Sequence, residues 1–141
     1  MGRHSKDDVR KPEILNHFRA VINEEGFYKA SIARVAKRME VSPNLVVHYF
    51  KSKDAMVLSL FDFITGEYFE FIADSVTRAN PGGQRIQVML KAMFGLGMNK
   101  QLLTENCFYA LYYVSLCEDS LRQRMTALYK QRNQELVYEM Q

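Results

Sequence analysis

Two cysteines, three histidines and three prolines are few for this chain, and each scarcity removes a class of function. Cys107 and Cys117 lie ten positions apart on one expected helix. That is about 15 Å of rise, too far for a mutual disulfide. They lack metal-ligand spacing and read as small buried core thiols. His4, His17 and His48 share no motif. The chain shows no paired nucleophile and base, no glycine-rich phosphate loop after a strand and no metal cluster. It is therefore read as no enzyme, with no cofactor and no metal. Seven glycines, three prolines and scarce β-branched alternation leave an all-α class. No apolar run approaches the ~20 residues of a membrane span. The N-terminus, MGRHSKDDVRK, lacks the apolar core of a signal peptide. A cytoplasmic chain with no membrane partner is expected.

What is present is ordinary in amount and uneven in place. Apolar residues make up 48% and charged residues 25%, enough for a sizeable core in one or two small helical units. Residues 1–53 hold eleven Lys and Arg against six Asp and Glu, net +5, while residues 54–141 hold eight against ten, net −2. A basic head on a slightly acidic body suits a nucleic-acid reader with a separate second domain. A solvated basic face would show the same balance.

The organising stretch is SIARVAKRMEVSPNLVVHYFKSK, Ser31 to Lys53. Ile32, Val35, Ala36 and Met39 recur at helical spacing and would face a core. Ser42 then takes an N-cap position with Pro43 at the first helical position, where its missing N–H costs nothing. Val41, Leu45 and Val46 give the second helix its buried side, leaving Arg34, Lys37, Arg38, Lys51 and Lys53 on the surface. Two helices this short need a third to pack on. This is the grammar of a helix-turn-helix, whose second helix enters the DNA major groove. On that helix Pro43, Asn44, Val47 and His48 are expected at base edges, with Ser42 and Tyr49 nearer the backbone. Asn44 can pair bidentately with adenine, and Pro43 or Val47 can touch a thymine methyl.

The N-terminal third resembles the TetR family of bacterial transcriptional repressors. The match runs from Glu25-Gly26-Phe27 through Ser31-Ile32-Ala33-Arg34-Val35-Ala36 and Val41-Ser42 to His48-Tyr49-Phe50-Lys51-Ser52-Lys53-Asp54. The resemblance implies phosphate contacts for Tyr49 and Lys53. The full set of expected DNA-binding residues is Arg34, Ser42, Pro43, Asn44, Val47, His48, Tyr49, Lys51 and Lys53. Two departures stand out. Glu40 occupies a turn position where relatives have Gly, and left-handed backbone costs Glu more than Gly. Val47 stands where relatives often have Tyr, which removes one phosphate contact.

In order, residues 1–11 are expected as a basic flexible arm, able to reach a minor groove or simply solvated. Pro12 to Glu25 reads as a helix with Ile14, Leu15, Phe18, Val21 and Ile22 on its apolar side. Gly26 stops it, and Phe27 and Tyr28 are expected to fold back onto the same core. Residues 12–53 form the helix-turn-helix domain. Residues 54–141 form a helical effector-binding and dimerisation domain. It opens with a long helix from Ser52 to about Ala79, capped by Ser52 and favoured by Asp54 in the first turn. Asn80-Pro81-Gly82-Gly83 breaks the chain. A helix over Gln84 to Phe94 and a short one over Asn99 to Leu103 follow.

Thr104 to Cys117 is apolar nearly all round and is expected to be buried on most sides. Phe108, Tyr109, Tyr112 and Tyr113, with Met89, Met93 and Phe94, line either plain core or a pocket for a small apolar or aromatic ligand. The last helix runs from Asp119 to the end, with Leu121, Met125, Leu128, Tyr129, Leu136 and Met140 as its stripe. The resemblance implies one further long helix, so a truncated chain with its last helix missing is expected. By resemblance the chain is a repressor that binds a palindromic operator in double-stranded DNA as a homodimer, modulated by a small-molecule effector. The second reading is a helical protein-interaction module that has lost specific DNA reading.

Overall fold

The computed structural model describes residues 6–78, 87–88 and 106–139. Among them the chain is helical and contains no strand. It divides into two compact units, Met1–Phe108 and Tyr109–Gln141. The first holds α1 (Lys6–Glu25), α2 (Ile32–Arg38), α3 (Pro43–Phe50) and α4 (Lys53–Thr77). Helix α5 (Asn106–Cys117) begins in the first unit and continues in the second, which also holds α6 (Asp119–Glu139). The helices expected over 84–94 and 99–103 fall almost wholly outside the described residues.

The first helix starts earlier than the sequence reading placed it. Residues 6–11 are helical and not a flexible arm, and Pro12 lies inside α1 instead of at its first turn. Arg10 pairs with Glu13 one turn on, at 2.8 Å. Pro12 still removes one backbone hydrogen bond from the helix.

The core of the first unit is built from α1 and α4. Ile14, Leu15, Phe18, Val21 and Ile22 of α1 are buried, as the apolar spacing requires. From α4, Met56, Val57, Leu60, Phe61 and Ile64 are buried. Helix α2 adds Val35 and Ala36, and α3 adds Val46 and Phe50. Ile32, Met39, Val41 and Leu45 are only half-buried. The Arg19 guanidinium reaches across from α1 to Glu67 of α4 at 2.7 Å.

In the second unit Leu111, Val114, Ser115 and Leu121 are buried. The expectation that α5 is buried on most sides fails at Tyr112, Tyr113 and Leu116, which are exposed. A twelve-residue helix with apolar residues all round needs neighbours on every side, and this one has a side open to solvent. Cys117 is exposed too, while Cys107 is the buried thiol the sequence suggested.

The turn between α2 and α3 explains the odd glutamate. Val41 N–H bonds to the Ala36 carbonyl at 3.0 Å, and Glu40 N–H to that of Lys37 at 3.2 Å. This pair of bonds is a Schellman closure of α2, whose left-handed position is filled by Glu40 at φ 56°. The turn keeps the geometry that favours glycine and tolerates a side chain in it. Glu40→Gly is therefore expected to stabilise the fold by about 1 kcal/mol, the left-handed penalty less the added freedom of the unfolded chain. A higher urea midpoint at unchanged m-value is the measurement that checks it.

Lys53 fixes a second turn. Its Nζ donates to the Phe27 carbonyl at 3.1 Å and lies 5.0 Å from the centre of the Phe27 ring. Burial holds this ammonium below the usual lysine value, with Asp54 acting the other way. The contact ties the α1–α2 turn to the start of α4, 26 residues away in sequence. Lys53→Met should lower unfolding stability by about 1–2 kcal/mol through the lost charged hydrogen bond and cation–π contact. Lys29→Met, on the same turn and exposed, should stay within about 0.5 kcal/mol of wild type in the same urea titration.

Candidate nucleic-acid interface

Helix α3 is only eight residues long, and its two sides differ. Pro43 opens it after Ser42, whose backbone is extended and whose side chain makes no capping hydrogen bond. Leu45 N–H bonds instead to the Ser42 carbonyl, at 3.0 Å. Val46 and Phe50 point into the core. Ser42, Pro43, Asn44, Val47 and His48 are exposed, and Tyr49 is half-buried. Positions 43, 44, 47 and 48 are one turn apart and form one stripe. Val47 is 39% exposed, unusual for a valine on a short helix whose next residue inward is fully buried. The His48 ring meets the Tyr49 ring edge-on at 5.2 Å.

The end of α3 is sharply turned. Lys51 closes the helix with φ 62° and ψ −44°, and Ser52 N–H reaches back to the Phe50 carbonyl at 2.6 Å. That is a γ-turn of the rare, strained hand. It lets α4 begin with only two residues, Lys51 and Ser52, between it and α3. The Ser52 hydroxyl accepts from Ala55 N–H at 3.1 Å and caps α4. Lys51 Nζ donates to the His48 carbonyl at 3.1 Å, which keeps its charge beside the end of α3.

The charges of α2 are arranged differently from the sequence reading. Arg34 pairs with Glu25 at 3.0 Å, and Arg38 with Glu24 at 2.6 Å. Glu24 and Glu25 end α1, where the helix dipole disfavours carboxylates, and the two arginines offset that. Arg34 is thus held by an intramolecular partner, although its side chain remains about half exposed. The Ser31 hydroxyl accepts from Arg34 N–H at 3.3 Å and caps α2. Lys29, Lys37, Lys51 and Lys53 carry the rest of the positive charge along residues 27–53.

The structure also moves one residue the sequence reading had put in the core. Tyr28 is 86% exposed, while its neighbour Phe27 is half-buried beneath the Lys53 ammonium. The two rings meet edge-on at 5.8 Å. Of the residues read as a ligand pocket, Met89, Met93 and Phe94 lie outside the described residues, as do the side chains of Phe108 and Tyr109. Tyr112 and Tyr113 are described and exposed. No helix among the described residues is long and apolar enough to cross a membrane. No group of three or more metal-binding side chains sits together among them.

The head is similar to known proteins. Residues 14–60 match the family described as bacterial regulatory proteins, tetR family. An HTH-type transcriptional regulator BetI of Yersinia pestis (strain Pestoides F) is 37% identical over 57 residues, covering 40% of this chain and 29% of that protein. A BetI of Klebsiella pneumoniae (strain 342) is 28% identical over 97 residues, covering 67% of this chain and 49% of that protein. The matched part thus spans less than half the length of these relatives. A crystal structure of a candidate transcriptional regulator from Pseudomonas aeruginosa PAO1 superposes with a TM-score of 0.73 at 22% identity. It covers 90% of this chain and 61% of that one, a likeness of fold. Over residues 14–60 the head is thus similar to the tetR family of bacterial regulatory proteins.

Proposed function

We propose that the chain is a DNA-binding transcriptional regulator, with α3 as the helix that enters the major groove. The observation that carries this reading is the exposed stripe Pro43, Asn44, Val47 and His48, backed by the buried Val46 and Phe50. An eight-residue helix held from behind and exposed in front fits a groove about 12 Å wide. Asn44 offers a bidentate pair to adenine, and Pro43 and Val47 offer apolar contact to thymine methyls. Ser42, Tyr49 and Lys51 flank this stripe, where phosphates would lie, while the Lys53 ammonium is engaged by Phe27. Arg34 joins them only by leaving Glu25 or by using its remaining donors. The BetI relatives are named as transcriptional regulators, which supports the same reading.

The finer form of the proposal is a repressor acting as a homodimer on a palindromic operator and modulated by a small apolar or aromatic ligand. Two copies related by a twofold axis would place two α3 helices on successive major grooves. Differential affinity of the ligand for two arrangements of the heads would then set operator occupancy. The open tyrosines of α5 support an apolar partner for the second unit.

Random duplex DNA selected on the full chain at moderate salt, then sequenced, tests the reading. A recurrent inverted repeat is expected; recovery of unrelated fragments would sink the operator and favour the interaction-module reading. On the selected duplex, Asn44→Ala should lose about 1–3 kcal/mol of discrimination at one base pair. Lys51→Ala should weaken all duplexes alike and lower the salt slope by about 1.

A further inference from the structure

We propose that Tyr28 and Lys29, on the turn between α1 and α2, form a second contact with the DNA backbone, outside the groove read by α3. The inference rests on the DNA-binding reading and extends its footprint. Tyr28 is the most exposed large apolar-bodied side chain among the described residues, at 86%. Such a residue on a basic head fits a partner that offers both sugar faces and phosphate oxygens.

The turn that carries it is fixed at several points. Gly26 N–H bonds to the Ile22 carbonyl at 2.9 Å and Ala30 N–H to the Gly26 carbonyl at 3.2 Å. Gly26 takes the left-handed conformation, with φ 87°. Ala30 is fully buried, and the Phe27 carbonyl is held by Lys53. A side chain on such a turn is presented with little loss of backbone freedom on binding. The turn also has a known place. Lys53 follows the sharp α3–α4 junction directly, so its bond to Phe27 puts the turn beside Lys51, Ser52 and Lys53. At the turn's other end, Ser31 caps α2, the helix that in this motif crosses the backbone. Tyr28 and Lys29 therefore lie between two elements that approach phosphates, on the head with net charge +5.

This divides the work of three residues. Lys53 is a positioning residue, since its ammonium is bound to Phe27. The phenol of Tyr28 donates to a phosphate oxygen, and Lys29 supplies a charge beside it.

The test uses the full chain and a duplex selected by the wild type, extended on both sides by about one helical turn. Tyr28→Phe should weaken binding about three- to fivefold, and Lys29→Ala should lower the salt slope by about 0.9. In hydroxyl-radical footprints, the double variant Tyr28→Ala/Lys29→Ala should lose protection at the outer sugars and keep it over the half-site centres. On a duplex trimmed to the half-sites, wild type and double variant should bind alike. Equal affinity, salt slope and footprint for wild type and variants on the long duplex would overturn the inference while leaving the function standing. A double variant that changes sedimentation but not DNA binding would also overturn it, in favour of a protein contact. Failure of the wild type to protect any duplex would overturn both the inference and the function it rests on. Unchanged urea midpoints for the variants would show that the loss lies in binding and not in folding.

Discussion

Seven-residue α2 and eight-residue α3 cannot bury enough surface to hold themselves, so they depend on the apolar seam between α1 and α4. Isolated helices of this length are unstable in water because nucleation is costly and few bonds follow it. Phe18, Met56 and Leu60 are completely buried, and Val35 and Val46 add the inner sides of α2 and α3 to the same core. The exposed stripe of α3 is a consequence of that packing. Once Val46 and Phe50 face inward, helical geometry leaves 43, 44, 47 and 48 on the outside. The exposed side of α3 is thus set by the residues on its buried side.

Charge is organised by the same frame. The end of α1 carries Glu24 and Glu25 against an unfavourable dipole, and α2 answers with Arg38 and Arg34. These pairs are partly exposed and contribute little stability each. Their larger effect is to orient α2 on α1. The lysines keep the net positive potential, while the arginines are used inside the molecule. Counting basic residues along the sequence does not separate these two uses. The ion-pair distances do.

Much of the head was legible in the residue pattern. The stripe of α1, the cap at Ser52, the stop at Gly26 and the boundaries of α3 all follow from local chemistry that acts within one turn, whereas Ser42, also read as a cap, makes no side-chain capping bond. Where reading failed, the deciding contact was distant or the local signals conflicted. Pro12 signals a helix start, but the helix runs back to Lys6, with Arg10 and Glu13 paired across Pro12. Tyr28 follows an inward phenylalanine and looks like core, yet Lys53 fixes Phe27 from 26 residues away and leaves Tyr28 outside. The departure at Glu40 could be read only as a cost; that the Schellman closure persists despite it depends on bonds from Val41 and Glu40 back into α2. On α5, composition predicted burial all round, and only neighbours decide which side is covered.

Helix α1 connects to every other described element of the first unit, and two of its polar links point away from the head. Arg19 bonds to Glu67 well along α4. Asn23 Oδ1 accepts from Cys107 N–H at 2.7 Å, so a side chain of α1 satisfies one of the otherwise unpaired donors at the start of α5. Cys107 is itself fully buried, which makes that donor costly to leave unmet. The start of α5 therefore cannot shift far from α1 without exposing a polar group to an apolar surround. Asn23 lies one turn before Gly26, the residue that opens the turn held by Lys53. Helix α1 thus also anchors the start of α5, through a side chain two residues before its own end.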